Sequence, residues 1–358
     1  MKILVIQQKM IGDVLVSTML CERLKKYVPE SEIHYLINSN TEAVVKNNPH
    51  IDRIVFFKDE YRNSKWFFYK FLKGVTRENY DVVIDVYGKI ESILISLFSR
   101  AKLKISYQKW YSKSFYTHTF KYLTTGNTNL GLAIENRLRL LTPLIDKIDE
   151  KINPPKIYLT DDEILYARSF LENNGVDFSK PIIMMNILGS SENKTYPLSY
   201  MSEIVDSVAE KGEFTVLFNY MPSQLKKAKE LYGLCSSKSN TGIKFEIFTP
   251  SLRSFLGVLY HCKALIGNEG GAINMAKALN VPTFSIFSPW IRKAGWETFK
   301  NSDSNISVHL NDYEPLLIEG KSRKQLKKDT HKLYAKFKPS LFNEKIAHFL
   351  GTKILANK

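Results

Sequence analysis

Long apolar runs are absent from this chain of 358 residues. A helix that crosses a bilayer needs roughly 20 such residues, so a membrane-spanning protein is not expected. The apolar run at the N-terminus, Ile3 to Ile6, stops at Gln7 and Gln8 with no small-residue cleavage site behind it, which argues against a signal peptide. Cysteine is scarce. Cys21, Cys235 and Cys262 are odd in number and far apart, so neither a disulfide framework nor a zinc site is implied and a reducing cytoplasm is expected. The seven histidines are scattered without a close metal spacing. No G-x-G-x-x-G follows the first apolar run and no G-x-x-x-x-G-K-[ST] exists, which removes support for nicotinamide and P-loop readings. Gly88-Lys89 lacks the upstream glycine of a P-loop, and no G-x-S-x-G elbow occurs. Internal repeats and low-complexity segments are missing too.

What remains is a globular composition, 44% hydrophobic and 24% charged, at a length that one core seldom serves. Acidic residues are outnumbered, and the formal net charge is +15. The excess is uneven. Residues 321–358 hold eleven lysines and arginines against Asp329 and Glu344, which places nine net positive charges in the last tenth of the chain. Such an end attracts nucleic acid, anionic lipid or a phosphorylated substrate, and a solvated helix face would look the same. Its aromatics, Tyr334, Phe337, Phe342 and Phe349, sit at helix-packing positions rather than forming a stacking platform, so nucleic acid is not an expected partner.

Short runs rich in Val and Ile alternate with helical patterns. Strands are expected at 2–7, 32–37, 53–57, 81–86 and 104–107, then at 181–188, 214–220, 245–249, 264–267 and 282–287, with helices such as 14–27 and 90–99 between them. Continuous apolar strands alternating with helices imply parallel sheets covered on both faces. Pro154-Pro155 forbids helix and marks a connection. The expected organisation is α/β, with two doubly wound domains, 1–152 and 153–340, facing across a cleft, and a C-terminal helix or tail, 341–358, able to pack back on the first domain. Ligands of such sheets bind beyond the carboxyl ends of the strands, so the loops there deserve inspection.

Three of those loops are polar in a suggestive way. In "QQKMIGDVLVST", Gly12 and Asp13 lie between the first strand and a helix whose buried stripe is Val16, Leu20, Leu24 and Tyr27. Asp13 reads either as a helix cap or as a carboxylate able to take a proton from a hydroxyl, and the two roles are compatible. In "NILGSSENKTYP", the small residues Gly189, Ser190 and Ser191 let backbone N–H groups approach an anion that Lys194 would neutralise, although a Ser-rich turn with a solvated lysine is the plainer account. In "LIGNEGGAINMAKALNVP", Gly270 and Gly271 open a helix bearing Asn274, and Glu269 is better suited to sugar hydroxyls than to phosphate. A Gly-rich turn with Glu269 at the helix start is the alternative there.

In order and spacing, these segments resemble glycosyltransferase family 9, the family of the ADP-heptose:lipopolysaccharide heptosyltransferases. The resemblance spans roughly residues 1–290 and runs through "MKILVIQQKMIGDVLVSTML", "YDVVIDVYGKIESILIS" with Asp85, Gly88 and Ser92, "LGSSENKTYP" and "IGNEGGAINMAKALNVP". It implies a GT-B architecture of two Rossmann-like domains, with the acceptor on the first and a nucleoside-diphosphate sugar on the second. It also implies inversion at the anomeric carbon, no cofactor and no essential metal. Carried over, Asp13 is the general base, and Ser190, Ser191, Lys194, Glu269, Gly270, Gly271 and Asn274 serve the donor. Gly12, Asp85, Gly88 and Ser92 belong to the acceptor side.

Where the family pattern has Asp-Ser/Thr-Gly and then His, this chain has Glu269-Gly270-Gly271 and Asn274, which leaves the sugar open. "FSPWIRKAGW" at 287–296 also departs from the pattern, and the basic tail has no counterpart in it. The expected activity is transfer of heptose or a related sugar to lipopolysaccharide or another lipid-linked surface glycan. The expected location is the cytoplasm, peripheral on the inner membrane face through Lys321, Arg323, Lys324, Lys327 and Lys328. A non-catalytic nucleotide-sugar-binding protein of the same fold is the alternative.

Overall fold

Ile3, Leu4, Val5 and Ile6 are all fully buried, the pattern of a central strand in a sheet covered on both faces. In the computed structural model, which describes residues 1–126, 128–147, 152–211, 214–299 and 304–355, that strand is β1 (Lys2–Ile6). It is followed by β2 (Glu32–Asn38), β3 (Arg53–Phe57), β4 (Val82–Asp85), β5 (Leu103–Tyr107) and β6 (His118–Phe120). Every pairing is parallel, in the order β3-β2-β1-β4-β5-β6, with Ile3 opposite Ile33 on one side and Val82 on the other. A second parallel sheet contains β7 (Ile182–Asn186), β8 (Thr215–Asn219), β9 (Ala264–Asn268), β10 (Thr283–Ile286) and β11 (Asn305–Val308), in the order β11-β10-β9-β7-β8. Two doubly wound α/β domains are therefore present, as expected. The short edge strands β6 and β11 escaped the sequence reading because neither carries a continuous apolar run.

The chain divides into two compact units, Met1–Tyr158 with Ala294–Thr298, and Leu159–Lys293 with Phe299–Lys358. The division falls a few residues beyond the expected 152–153 because Ile157 is buried and Tyr158 packs edge-on against His50 of the first unit. Residues 148–151, next to the expected boundary, and 356–358, the end of the basic tail, lie outside the described residues. The C-terminal helix Asn343–Leu350, offered to the first domain by the sequence, belongs to the second unit. Phe342, Ile346, Phe349 and Leu350 recur at helical spacing and are buried, and Phe342 and Phe349 pack on Phe284 of β10.

One expected strand is absent. Residues 245–249 form no ladder; a single bridge pairs Ile243 with Val216 of β8. Phe245 instead packs its ring against Phe218, Tyr220 and Tyr232. Side-chain burial on the edge of β8 thus accounts for the apolar residues that resembled a strand, and Pro250 ends the segment.

Candidate functional site

In the first sheet the winding reverses between β1 and β4, so the loops after these strands flank its ligand-binding edge. The loop after β1 leads into the helix Ile11–Tyr27 through Met10, a non-glycine residue at φ 65°. Gly12 is the second helical residue and Asp13 the third. The helix has no side-chain cap, so the capping role read from the sequence is not the one observed. Asp13 turns instead to Arg137, whose Nη2 donates to its Oδ1 at 2.6 Å.

The guanidinium is itself held in place. Arg137 Nε donates to Ser17 Oγ at 2.8 Å and Nη1 to the Ala133 carbonyl at 2.7 Å, while Ser17 Oγ donates to the Asp13 carbonyl at 2.7 Å. Arg137 is buried and Asp13 keeps 24% of its side chain exposed. The result is a carboxylate fixed in orientation by a planar fork and still open to an incoming group. Sequence reading missed Arg137. The signal was there in "LAIENRLRLL": charges embedded in an apolar helix, which is buried from Leu132 to Leu138, need partners.

The loop after β4 is built from the expected acceptor-side residues. Asp85 is wholly buried; its Oδ1 accepts from the Gly88 N–H at 2.8 Å and its Oδ2 from the Tyr116 hydroxyl at 2.5 Å. Burial pushes its carboxyl up, opposed by the Gly88 and Tyr116 hydrogen bonds. Gly88 sits at φ +56°, where a Cβ would meet Lys109 Nζ at 2.8 Å, and Lys109 Nζ donates to the Gly88 carbonyl. Ser92 closes the first turn of the helix Ile90–Phe98, accepting from the Lys89 N–H and donating to the Lys89 carbonyl, each at 2.9 Å. In the observed geometry these three residues shape the turn.

In the second sheet the reversal lies between β7 and β9, and the two remaining polar loops follow those strands. Asparagines fasten them. Asn186 Nδ2 donates to the Asn268 carbonyl at 2.6 Å, Asn268 Nδ2 returns a bond to the Asn186 carbonyl at 3.0 Å, and Asn268 Oδ1 accepts from the Tyr196 N–H at 2.7 Å. The strands approach so closely that a Cβ on Gly267, at φ +137°, would lie 2.3 Å from the Asn186 carbonyl oxygen.

The loop after β7 folds tightly on itself. A Cβ on Gly189 would lie 2.3 Å from the Lys194 carbonyl, and the Gly189 carbonyl accepts from Gln224 at 2.8 Å. Ser190 and Ser191 are exposed, with Ser191 Oγ donating to Asn193 Oδ1 at 2.8 Å. Lys194 lies half-buried beside Trp290. After β9, Gly270 and Gly271 border open space, and Asn274 is buried in the first turn of the helix Gly271–Ala278. Glu269 Oε2 is shut from solvent and has no hydrogen-bond partner among the described residues. Burial raises its carboxyl above the usual range, opposed by the charges of Lys194 and Lys277. An unsatisfied acid beside a cation and open space is an arrangement suited to a polar ligand.

Among the described residues, no three His, Cys, Asp or Glu side chains gather as a metal would require, and no helix is long and apolar enough to cross a membrane. Residues 68–324 match the family model of glycosyltransferase family 9 (heptosyltransferase). Over 310 residues the chain is 24% identical to lipopolysaccharide heptosyltransferase 1 of Campylobacter coli, covering 80% of this chain and 84% of that one. Among solved structures, a family 9 glycosyltransferase from Veillonella parvula superposes with a TM-score of 0.72 at 18% identity, covering 94% of this chain and 97% of that one. The ADP-heptose lipopolysaccharide heptosyltransferase II of E. coli gives a TM-score of 0.69 at 14% identity, with 94% and 99% covered. The fold shared with these structures is GT-B.

Proposed function

The chain belongs to glycosyltransferase family 9, and from that premise we propose that it transfers heptose or a related sugar from a nucleoside diphosphate to a lipopolysaccharide-type acceptor, with inversion and without a metal. The observation that carries this reading is the Asp13–Arg137 pair at the carboxyl end of β1. As an acceptor hydroxyl oxygen bonds to the anomeric carbon, Asp13 takes its proton and the bond from that carbon to the diphosphate oxygen breaks. Arg137 is a positioning residue, keeping the carboxylate aimed. The departing nucleoside diphosphate carries growing negative charge, which Lys194 and the N–H groups of the loop after β7 would stabilise. Glu269 and Asn274 would accept and donate hydrogen bonds to the sugar, with Gly270 and Gly271 leaving room for it. Asp85, Gly88 and Ser92 would hold the acceptor-side turn.

ADP-heptose is the first donor to try, being the one named for the E. coli heptosyltransferase II that shares this fold. A peripheral position at an anionic membrane surface would suit a lipid-borne acceptor. The exposed side chains of Lys321, Lys324 and Lys328 would contribute about 1 kcal/mol each near anionic lipid, fading with salt.

Asp13→Asn tests the assignment. It keeps an acceptor for Arg137 but removes the base, so turnover should fall about 100-fold or more while nucleotide affinity stays. Undiminished transfer by this variant would sink the assignment of Asp13.

A further inference from the structure

In the second unit three cations converge on one indole. Arg323 Cζ lies 4.9 Å, Lys327 Nζ 5.3 Å and Lys194 Nζ 5.8 Å from the centroid of Trp290. The ring is anchored: Trp290 is 8% exposed, and its Nε1 donates to the Asn193 carbonyl at 2.8 Å. The same carbonyl accepts from Ser288 Oγ at 2.7 Å. Trp290 is thereby locked to the residue that precedes Lys194. Arg323 and Lys327 are four residues apart in the helix Arg323–Lys328, and so project from one of its faces.

One aromatic face attracts a cation, but three cations around it repel one another, and a shared anion relieves that repulsion. The nearby carboxylate does not supply a closed ion pair: Glu269 feels the charge of Lys194, yet its Oε2 is shut from solvent without a hydrogen bond. Arg323 brings a planar fork matched to two phosphate oxygens, while Lys327 and Lys194 bring point charges.

We propose that Arg323 and Lys327 join Lys194 in a three-cation site, built on Trp290, for the pyrophosphate group of the donor nucleoside diphosphate. This rests on the donor class proposed above. It gives two residues of the basic C-terminal segment a task in donor binding rather than at a lipid surface. A nucleoside diphosphate carries more negative charge than one lysine neutralises, and the site scales with that charge.

The test is calorimetric titration of the wild type and of R323Q/K327Q with ADP, AMP and inorganic pyrophosphate at low and high salt. Both substituted side chains are exposed, so the variant should fold as the wild type does, which circular dichroism and the melting temperature check. The expected result is a loss of about tenfold or more for ADP and pyrophosphate, a smaller loss for AMP, and a shallower salt dependence. R323K/K327R should recover most of the ADP affinity. Unchanged ADP affinity and salt dependence in R323Q/K327Q would overturn the inference while leaving the donor reading intact. So would a loss confined to co-sedimentation with phosphatidylglycerol vesicles, which would place these side chains at lipid. If the wild type binds none of ADP, GDP, UDP or CDP, the donor reading fails first and the inference with it.

Discussion

The Asp13 carboxylate and the Arg137 guanidinium, 124 residues apart in the chain, meet at 2.6 Å. The arginine is buried and serves two further acceptors, so the pair is a fixed element of the first unit. Removing one member of such a pair leaves the other poorly partnered.

Arg137→Met should therefore lower both stability and turnover. A fully buried pair would cost about 3–5 kcal/mol on removal of one partner, and the partial exposure of Asp13 places the expected cost at about 2 kcal/mol. Urea denaturation measures the first effect. Steady-state kinetics should show the loss in kcat, with nucleotide affinity held. A variant as stable and as active as the wild type would contradict the positioning role.

Tyr116→Phe removes the donor to Asp85 Oδ2 inside the first unit. An acceptor left unsatisfied in a buried place costs about 1–3 kcal/mol, so the urea midpoint should fall without a change in slope. An unaltered midpoint would mean that Asp85 finds another partner or that the turn does not depend on this bond.

Glycines on either side of β9's end should respond in opposite ways. Gly267→Ala combines φ +137° with a backbone oxygen 2.3 Å from the new Cβ, and should cost more than about 2 kcal/mol or prevent folding. Gly271→Ala meets nothing within 4 Å and starts a helix, so stability should hold or rise by up to about 1 kcal/mol. If a ligand uses the open space, the Gly271 variant should bind nucleotide sugar more weakly at unchanged stability. Equal thermal effects at both positions would refute the steric account.

Burial of Glu269 sets the sign of a pH dependence of the fold. Its carboxyl is raised in the folded state by burial, so the folded protein holds that proton more tightly than the unfolded chain. The associated stabilisation is complete below the unfolded carboxyl range and is lost as pH rises through the folded value. Glu269→Gln should thus raise the melting temperature at pH 7.5 relative to the wild type, with the advantage shrinking toward pH 4. A constant difference across that range would show that Glu269 does not titrate as burial requires. Lys194 and Lys277 act against the shift, so Lys194→Met should widen the gap.

Transfer should continue in excess EDTA, since in the proposed reaction Asp13 takes the proton and Lys194 faces the departing diphosphate. Collapse of activity with recovery on adding Mg²⁺ would defeat the metal-independent reaction.

Local patterns determined much of this protein. Runs such as Ile3–Ile6 and Ile182–Met185, short, rich in β-branched residues and alternating with helical patterns, read as interior parallel strands and are buried, and the polar loops after β1, β7 and β9 are visible because glycine, serine and charge interrupt those runs. Period-2 and period-3.6 signals are short-range, so a single chain displays them. Residues 245–249 show the limit: aromatic packing on an edge and a strand look alike in sequence.

Long-range pairing was decided by tertiary structure alone. Asp13 was legible as a helix cap or a base from its own loop, whereas its partner Arg137 reaches it only once the helix Leu132–Leu138 packs on the helix Ile11–Tyr27. The same holds for the basic tail. As a run of charge it left a solvated face, anionic lipid, nucleic acid and a phosphorylated substrate open, and folding brings Arg323 and Lys327 to Trp290 and the Lys194 loop. Charge along a sequence states how many cations there are; only the packing of helices on the sheet decides which anion they can share.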